Sequence, residues 1–570
     1  MTEATAADLI LTGGKIVTLD PQSQIAEAVA VAGDRIVSVG QDDDLIGLAA
    51  DARRIDLGGR TVVPGLIDGH AHMDREGLKD RQPSLAGAQS IDDILNIIEA
   101  QVRNAAPGDW IVTMPVGVPP QYWNVPECLS ENRWPNRHDI DRVAPDNPVY
   151  IRAIWGHWRN TLPLVSIANT AALRAAGITR DTVPPIATIE IKKDADGEPI
   201  GVLVEQNYKP IVEHTLMSVA PRFDRDDRLS GLERSMRSYN AYGTTSVFEG
   251  HGINAEVLSA YRSLRERGPL PVRARLVFSP SWKSGSSDDV CAMLQSWCSW
   301  LAGRGLGDDY LRIGGLFTEP VKDRENELRA RTSPYCGWAG FNFDCELLDD
   351  VMVDMMVEAA RNGIQVASIG TGMLPYYERV DRIAPIGGLR WVIVHVGVID
   401  ADQMRRIKDL GLVLTALTHR YIHDDGDMLR TQLGDAKAGT IMPLRSLLDA
   451  GIHVALATDN VPPTLFETIW HAVARRTRDS DTVLAAEQAL TPEEALACAS
   501  REGAWLSFEE DTKGTIETGK LADMAVLSAD PLSVAEEDLR TVTADLTITG
   551  GKVVYDRATD GPPTPGGSGK

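Results

Sequence analysis

Eight apolar, strand-like runs separated by helical patterns constrain this 570-residue chain more than any other feature. They are 62–72, 244–250 (TTSVFEG), 273–279 (RARLVFS), 312–318 (RIGGLFT), 364–370 (IQVASIG), 391–397 (WVIVHVG), 412–418 (LVLTALT) and 452–459 (IHVALATD). Strands that alternate with helices form a parallel sheet, and eight is the number that closes a (β/α)8 barrel. The expected fold class is therefore α/β, a TIM-like barrel, with any chemistry at the C-terminal ends of its strands. Leu348, Met352, Met355 and Ala359 recur at helical spacing before Gly363, which predicts a packing face with a glycine stop rather than a cofactor site.

The two chain ends have a different texture. DLILTGGKIVTLD (8–20) and EAVAVAGDRIVSVG (27–40) read as hairpins broken at Gly-Gly and Gly-Asp. ADMAVLSAD (522–530) and DLTITGGKVVYD (545–556) match them, and Thr549-Gly550-Gly551-Lys552 echoes Thr12-Gly13-Gly14-Lys15. Residues 1–60 and 515–556 are expected to form one small β-sandwich, leaving 61–74 and 241–514 for the barrel. About 170 residues part the first barrel strand from the second, far beyond an ordinary connection, so 75–240 is expected to be a folded insertion covering the barrel mouth. The Gly- and Pro-rich tail, 557–570, is expected to be disordered.

Charge and cysteine usage narrow the partners. A net charge of −24 repels nucleic acid and anionic membranes, so neither is expected as a partner. Six cysteines without a Cys-x-x-Cys pair fit reduced thiols, and the opening MTEATAADLI has no basic-then-apolar leader, so a cytoplasmic protein is expected. Cys291 and Cys298 fall on one face of a helix, where packing is the expected role.

The residues that carry chemistry begin with His70-Ala71-His72, after the apolar run Thr61–Ile67. Alternate residues of a strand share a face, so both imidazoles can grip one metal ion. Asp459 closes the apolar run 452–459, and a carboxylate so placed is usually paired with a cation or metal. His395 ends the sixth run in the same way, although a satisfied core histidine explains that position too.

These segments, in this order, resemble the amidohydrolase superfamily, within it the YtcJ-like branch that includes N-substituted formamide deformylases. VVPGLIDGHAH is similar to the family's first-strand motif and APDNPVYIRAIWGHWRNTLPLVSIANTAAL to its inserted segment. DADGEPIGVLVE resembles the turn and strand that follow, WVIVHVGVI the sixth-strand histidine segment, GIHVALATDN the eighth-strand aspartate segment and GTIETGKLADMAVLSADP the return to the small sheet domain. The resemblance implies that His70 and His72 bind metal, that His395 is a ligand or polarises the substrate carbonyl, and that Asp459 binds metal and acts as base. His157 matches the family's Gly-His, and with Trp123, Tyr122 and His419 it is a candidate to contact substrate. Glu205, Glu249 beside His251, and Glu319, which stands where the family has an aspartate, are candidates to complete or brace the metal shell.

Two departures accompany the likeness. The family's fourth-strand lysine, carbamylated to bridge two metals, has no counterpart in RIGGLFTEP, and its fifth-strand His-Ala-Ile-Gly-Asp reads Ala367-Ser368-Ile369-Gly370-Thr371 here. Without a bridging anion two divalent ions repel strongly at low dielectric, so one ion is expected. Zinc suits imidazoles and a carboxylate, with manganese and iron as the alternatives. The implied activity is hydrolysis of a C–N bond in a small non-peptide amide, formamide or cyclic amide by metal-activated water. A single-metal lyase performing decarboxylation or C–C cleavage, and a catalytically inactive relative, are the competing readings. The resemblance also implies a homodimer, with a small molecule as substrate.

Overall fold

A computed structural model describes residues 6–45, 52–79, 81–119, 121–155, 162–208, 210–282, 285–321, 328, 338, 340 and 346–563. The chain divides into two compact units, one drawn from 1–73, 233–320 and 345–563, the other from 74–232, 321–344 and the last seven residues.

The first unit contains the barrel. Eight parallel strands run in sequence order: Leu66–Asp68, Thr244–Ile253, Arg273–Phe278, Leu311–Phe317, Val366–Ile369, Val392–Val394, Val413–Ala416 and Val454–Leu456. Closure is made by the backbone of Gly69, whose N–H donates to the carbonyl of Leu456 at 2.9 Å. Helices such as Ala255–Arg267, Ser287–Leu301 and Asp349–Arg361 follow the strands. Met352, Met355 and Ala359 on the last of these are fully buried, whereas Leu348 precedes the helix and is 70% exposed. Cys291 and Cys298 share the helix Ser287–Leu301 but are only partly buried, so their packing role is slight.

The same unit carries a β-sandwich built from both chain ends. One sheet orders Arg35–Gly40, Ala28–Ala32, Leu9–Thr12 and Arg53–Asp56; the other orders Lys552–Asp556, Ala544–Thr549, Met524–Leu527, Thr61–Pro64, Lys15–Val17 and Ile25–Ala26. Leu11, Val29 and Val31 of the first sheet pack against Val62, Met524, Val526 and Ile548 of the second. The two Thr-Gly-Gly-Lys segments behave differently. Gly550 (φ 56°) and Gly551 (φ 72°) close a hairpin, as two positive φ angles in a two-residue turn should. At Gly13-Gly14 the chain instead crosses from one sheet to the other, so the expected hairpin at 8–20 is absent. A Cβ at position 14 would lie 2.7 Å from the Arg60 carbonyl oxygen, so this glycine serves close packing.

The expected first strand, 62–72, is likewise two strands in two sheets. Thr61–Pro64 joins the sandwich, and only Leu66–Asp68 joins the barrel, with Gly65 between them. A bidentate pair ties the barrel to the sandwich: Arg273 Nε and Nη2 donate to Asp523 at 2.7 and 2.9 Å, with both side chains buried.

The second unit has a five-stranded sheet in the order Ile189–Lys193, Pro199–Glu205, Leu164–Ala168, Val149–Ile151 and Ile111–Thr113. Helix Ile91–Val102 lays Ile91, Ile94, Leu95 and Ile98 on one face of it, and helix Thr170–Ala175 packs on the other with Ala172 and Leu173. Trp338 also belongs to this unit, donating from Nε1 to the Ala153 carbonyl at 3.2 Å. At the C-terminal end, Arg557–Asp560 forms a short helix where disorder was expected. Among the described residues no helix is long and apolar enough to cross a membrane.

Candidate metal centre

The histidine pair lies just past the first barrel strand rather than within it, yet its backbone stays tied to the neighbouring strands. His70 N–H donates to Asp68 Oδ1 at 3.0 Å, Ala71 N–H to the Phe248 carbonyl at 3.0 Å, and Asp459 N–H to the His70 carbonyl at 2.9 Å. These bonds fix the segment between the second and eighth strands, and both imidazoles reach one neighbourhood, with ring centroids 4.9 Å apart. Asp68 is fully buried and also accepts the Thr458 N–H at 3.0 Å; burial pushes its carboxyl up to about 7 against the pull of those bonds.

His395 and Asp459 complete the convergence. His395 Nε2 stands 3.2 Å from His70 Nε2, and Asp459 Oδ1 stands 3.1 Å from His72 Nε2 and 3.9 Å from His70 Nε2. Each of the two residues lies just beyond its strand in the left-handed region, His395 at φ 57° and Asp459 at φ 49°. Such a conformation costs on the order of 1–3 kcal/mol and persists only where surrounding contacts enforce it. Tyr421 supplies one such contact, donating its hydroxyl to the His395 carbonyl at 3.0 Å.

The donor set fits a divalent ion. Among the described residues two groups of three side chains hold ligand atoms within 4.8 Å of one another: His70, His395 and Asp459, and His70, His72 and His251. Imidazole nitrogens and a carboxylate oxygen gathered at such spacing, with His70 and His72 almost wholly removed from solvent, are the donors that zinc and its neighbours take.

The acidic candidates separate clearly. Glu249 is buried on the second strand, where Oε1 accepts the Met73 N–H at 2.9 Å and the Tyr261 hydroxyl at 2.8 Å while Oε2 faces His72 Nδ1 at 3.8 Å. That places a buried carboxylate beside the far nitrogen of the candidate ligand His72. Glu205 belongs to the second unit, where Oε2 accepts the Val212 N–H at 3.1 Å and burial pushes its pKa up to about 8. Glu319, partly buried past the fourth strand, lies outside both donor groups.

Among the substrate candidates, His157 lies outside the described residues. Tyr122 is buried in the second unit at φ 55°, next to the partly buried Trp123. His419 opens a single π-helical segment, His419–Asp424, and burial lowers its pKa to about 4, so it is neutral at pH 7. The nearby His423 stacks on His471, with centroids 4.7 Å apart.

His251 is the residue that sequence reading passed over. The second strand was expected to stop at Gly250 but continues to Ile253. The signal was present as strand parity, since Glu249 and His251 are two apart and share a face.

The family model described as "Amidohydrolase family" matches residues 53–555. N-substituted formamide deformylase of Arthrobacter pascens is 29% identical, with 96% of this chain and 98% of that protein covered. Putative amidohydrolase YtcJ of Bacillus subtilis is 25% identical over 96% of this chain and 99% of the relative. Among solved structures, an uncharacterized metal-dependent hydrolase from Pyrococcus horikoshii superposes with a TM-score of 0.66 at 20% identity, covering 93% of this chain and 99% of that one. A barrel, a sandwich from both termini and a match over nearly the whole length place this chain in the amidohydrolase family, in its YtcJ-like branch.

Proposed function

We propose that this metal-dependent hydrolase cleaves a C–N bond in a small non-peptide amide, formamide or cyclic amide, using water activated by one divalent ion held by His70, His72, His395 and Asp459. The observation that carries the reading is the meeting of His70, His395 and Asp459 at the C-terminal rim of the barrel, His70 Nε2 3.2 Å from His395 Nε2, with His72 Nε2 3.1 Å from Asp459 Oδ1. Zinc is the proposed ion, with manganese and iron as alternatives. The likeness to N-substituted formamide deformylase over almost the full length of both chains supports the substrate class.

When bound, a divalent ion supplies Lewis acidity sufficient to bring the pKa of water from about 15.7 to about 7. Asp459 accepts the proton of the attacking water and returns it to the departing nitrogen. Tyr261 holds Glu249, whose other oxygen faces His72 Nδ1 at 3.8 Å and favours that ring's orientation electrostatically. Leu316 and Phe317, rather than an anionic side chain, end the fourth strand, and with no bridge a second ion would be repelled.

Metal analysis of the purified protein should find about one ion per chain, lost when His70 and His72 are both replaced by alanine. Two ions per chain would overturn the single-ion reading. Against a panel of N-substituted formamides and cyclic amides, release of amine and formate from the former or ring opening of the latter to an amino acid is expected, and evolved carbon dioxide would point to a lyase instead. Asp459→Asn should lower kcat by about 10²–10⁴-fold; unchanged turnover would remove it as the base.

A further inference from the structure

We infer that His251 is a further direct ligand at this centre, joining His70 and His72 on the ion; this rests on the metal-centre reading above. Three observations carry it. The first is distance. With an imidazole nitrogen about 2.0–2.1 Å from zinc, a ring centroid sits roughly 3.2 Å from the ion, so two rings on one ion are at most about 6.4 Å apart. His251 lies 6.1 Å from His70, 5.6 Å from His72 and 6.1 Å from His395, all within that limit. Its ligand atom is within 4.8 Å of those of His70 and His72.

The second observation is backbone construction. The second strand slips in register against the third between Glu249 and Ile253, a bulge of the kind that re-aims a side chain. Both residues flanking His251 must be glycine for the bulge to exist. A Cβ at position 250 would lie 2.7 Å from the Phe248 ring and 3.1 Å from His70 Nδ1. Position 252 has φ 81°, and a Cβ there would lie 2.8 Å from both Phe317 Cβ and Ser279 Cβ. Gly250 thus lets the strand approach His70, while Gly252 lets it pass close to Phe317 and Ser279.

The third is the surroundings of the ring. The Phe317 ring packs on His251 with centroids 4.5 Å apart, so an apolar wall stands on one side and the other imidazoles on another. The fifth strand, Val366–Ile369, carries no histidine, cysteine or carboxylate.

The test is metal binding, not turnover. Metal-free protein is titrated with Co2+ and with Zn2+ against a competing chelator, for the wild type, His251→Ala and His251→Gln. Wild type should bind one ion; both variants should still bind one, about 100-fold or more weakly, and their Co2+ absorption bands should intensify as coordination number falls. Unchanged affinity and an unchanged Co2+ spectrum in both variants would overturn the inference while leaving the His70, His72, His395 and Asp459 centre standing. A wild type that binds no ion would instead overturn the underlying reading. Should either variant fail to fold, X-ray absorption at the metal edge of the wild-type holoprotein decides: four imidazoles are expected, and three would refute His251.

Discussion

Gly252 shows how one residue without a side chain can govern a site it does not enter. Its φ of 81° strains any other residue, and a Cβ would press on Phe317 and Ser279. Gly252→Ala should therefore destabilise the protein by about 1–3 kcal/mol and weaken metal binding together, whereas Gly387→Ala, at an open position without a positive φ, should do neither. Denaturant unfolding and a metal titration of the same sample check this; full affinity in a destabilised variant would show that the bulge does not position His251. His395 and Asp459 illustrate the same physics from the ligand side, both held at positive φ by neighbours distant in sequence. Their chemical identity was readable in the chain, since apolar runs ended in a histidine and an aspartate. Their strained backbones were not, because bonds such as Tyr421 to the His395 carbonyl form only after folding.

The pairing of elements is where the sequence was most and least informative. All eight barrel strands were legible because each is an apolar run bounded by helical pattern or glycine. The division of 61–68 between two sheets was hidden, because Thr61–Pro64 and Leu66–Asp68 are equally apolar and only their partners differ. The Arg273–Asp523 pair joins two such partners. Arg273→Met should cost about 3–5 kcal/mol, because Asp523 would be left buried with its charge uncompensated. The double variant Arg273→Met/Asp523→Leu should recover most of that loss; a single variant as stable as wild type would show the pair to be idle.

In the second unit Glu205 is buried at the end of a strand with its pKa raised to about 8, above the usual 4.5. A carboxyl whose folded pKa is raised holds its proton in the native state while the unfolded chain releases it. Stability then falls as pH rises from about 4.5 to about 8 and levels off beyond. Glu205→Gln should abolish that fall, so the variant gains on wild type by up to a few kcal/mol between pH 5 and pH 8. Unfolding curves at the two pH values measure it, and a constant difference would mean that Glu205 is ionised in the folded state.

Across the whole molecule, the proposed centre would have strands far apart in sequence share one ion, so metal should act as a tertiary cross-link for the first unit. Removing it with a chelator should lower that unit's unfolding temperature, and added Zn2+ should restore it; an ion present at a thousandfold over its Kd contributes about 4 kcal/mol. An unfolding temperature insensitive to chelation would argue against a buried shared ion. The barrel, the sandwich assembled from both ends and the histidine and aspartate at strand ends were all written in local patterns, because hydrophobic period and turn chemistry act over a few residues. The approach of His251 to His70 and His72, the split of the first strand and the burial of Glu205 within the second unit were settled only by folding. Each depends on which backbone lies beside which, and no short stretch of sequence holds both partners of such a contact.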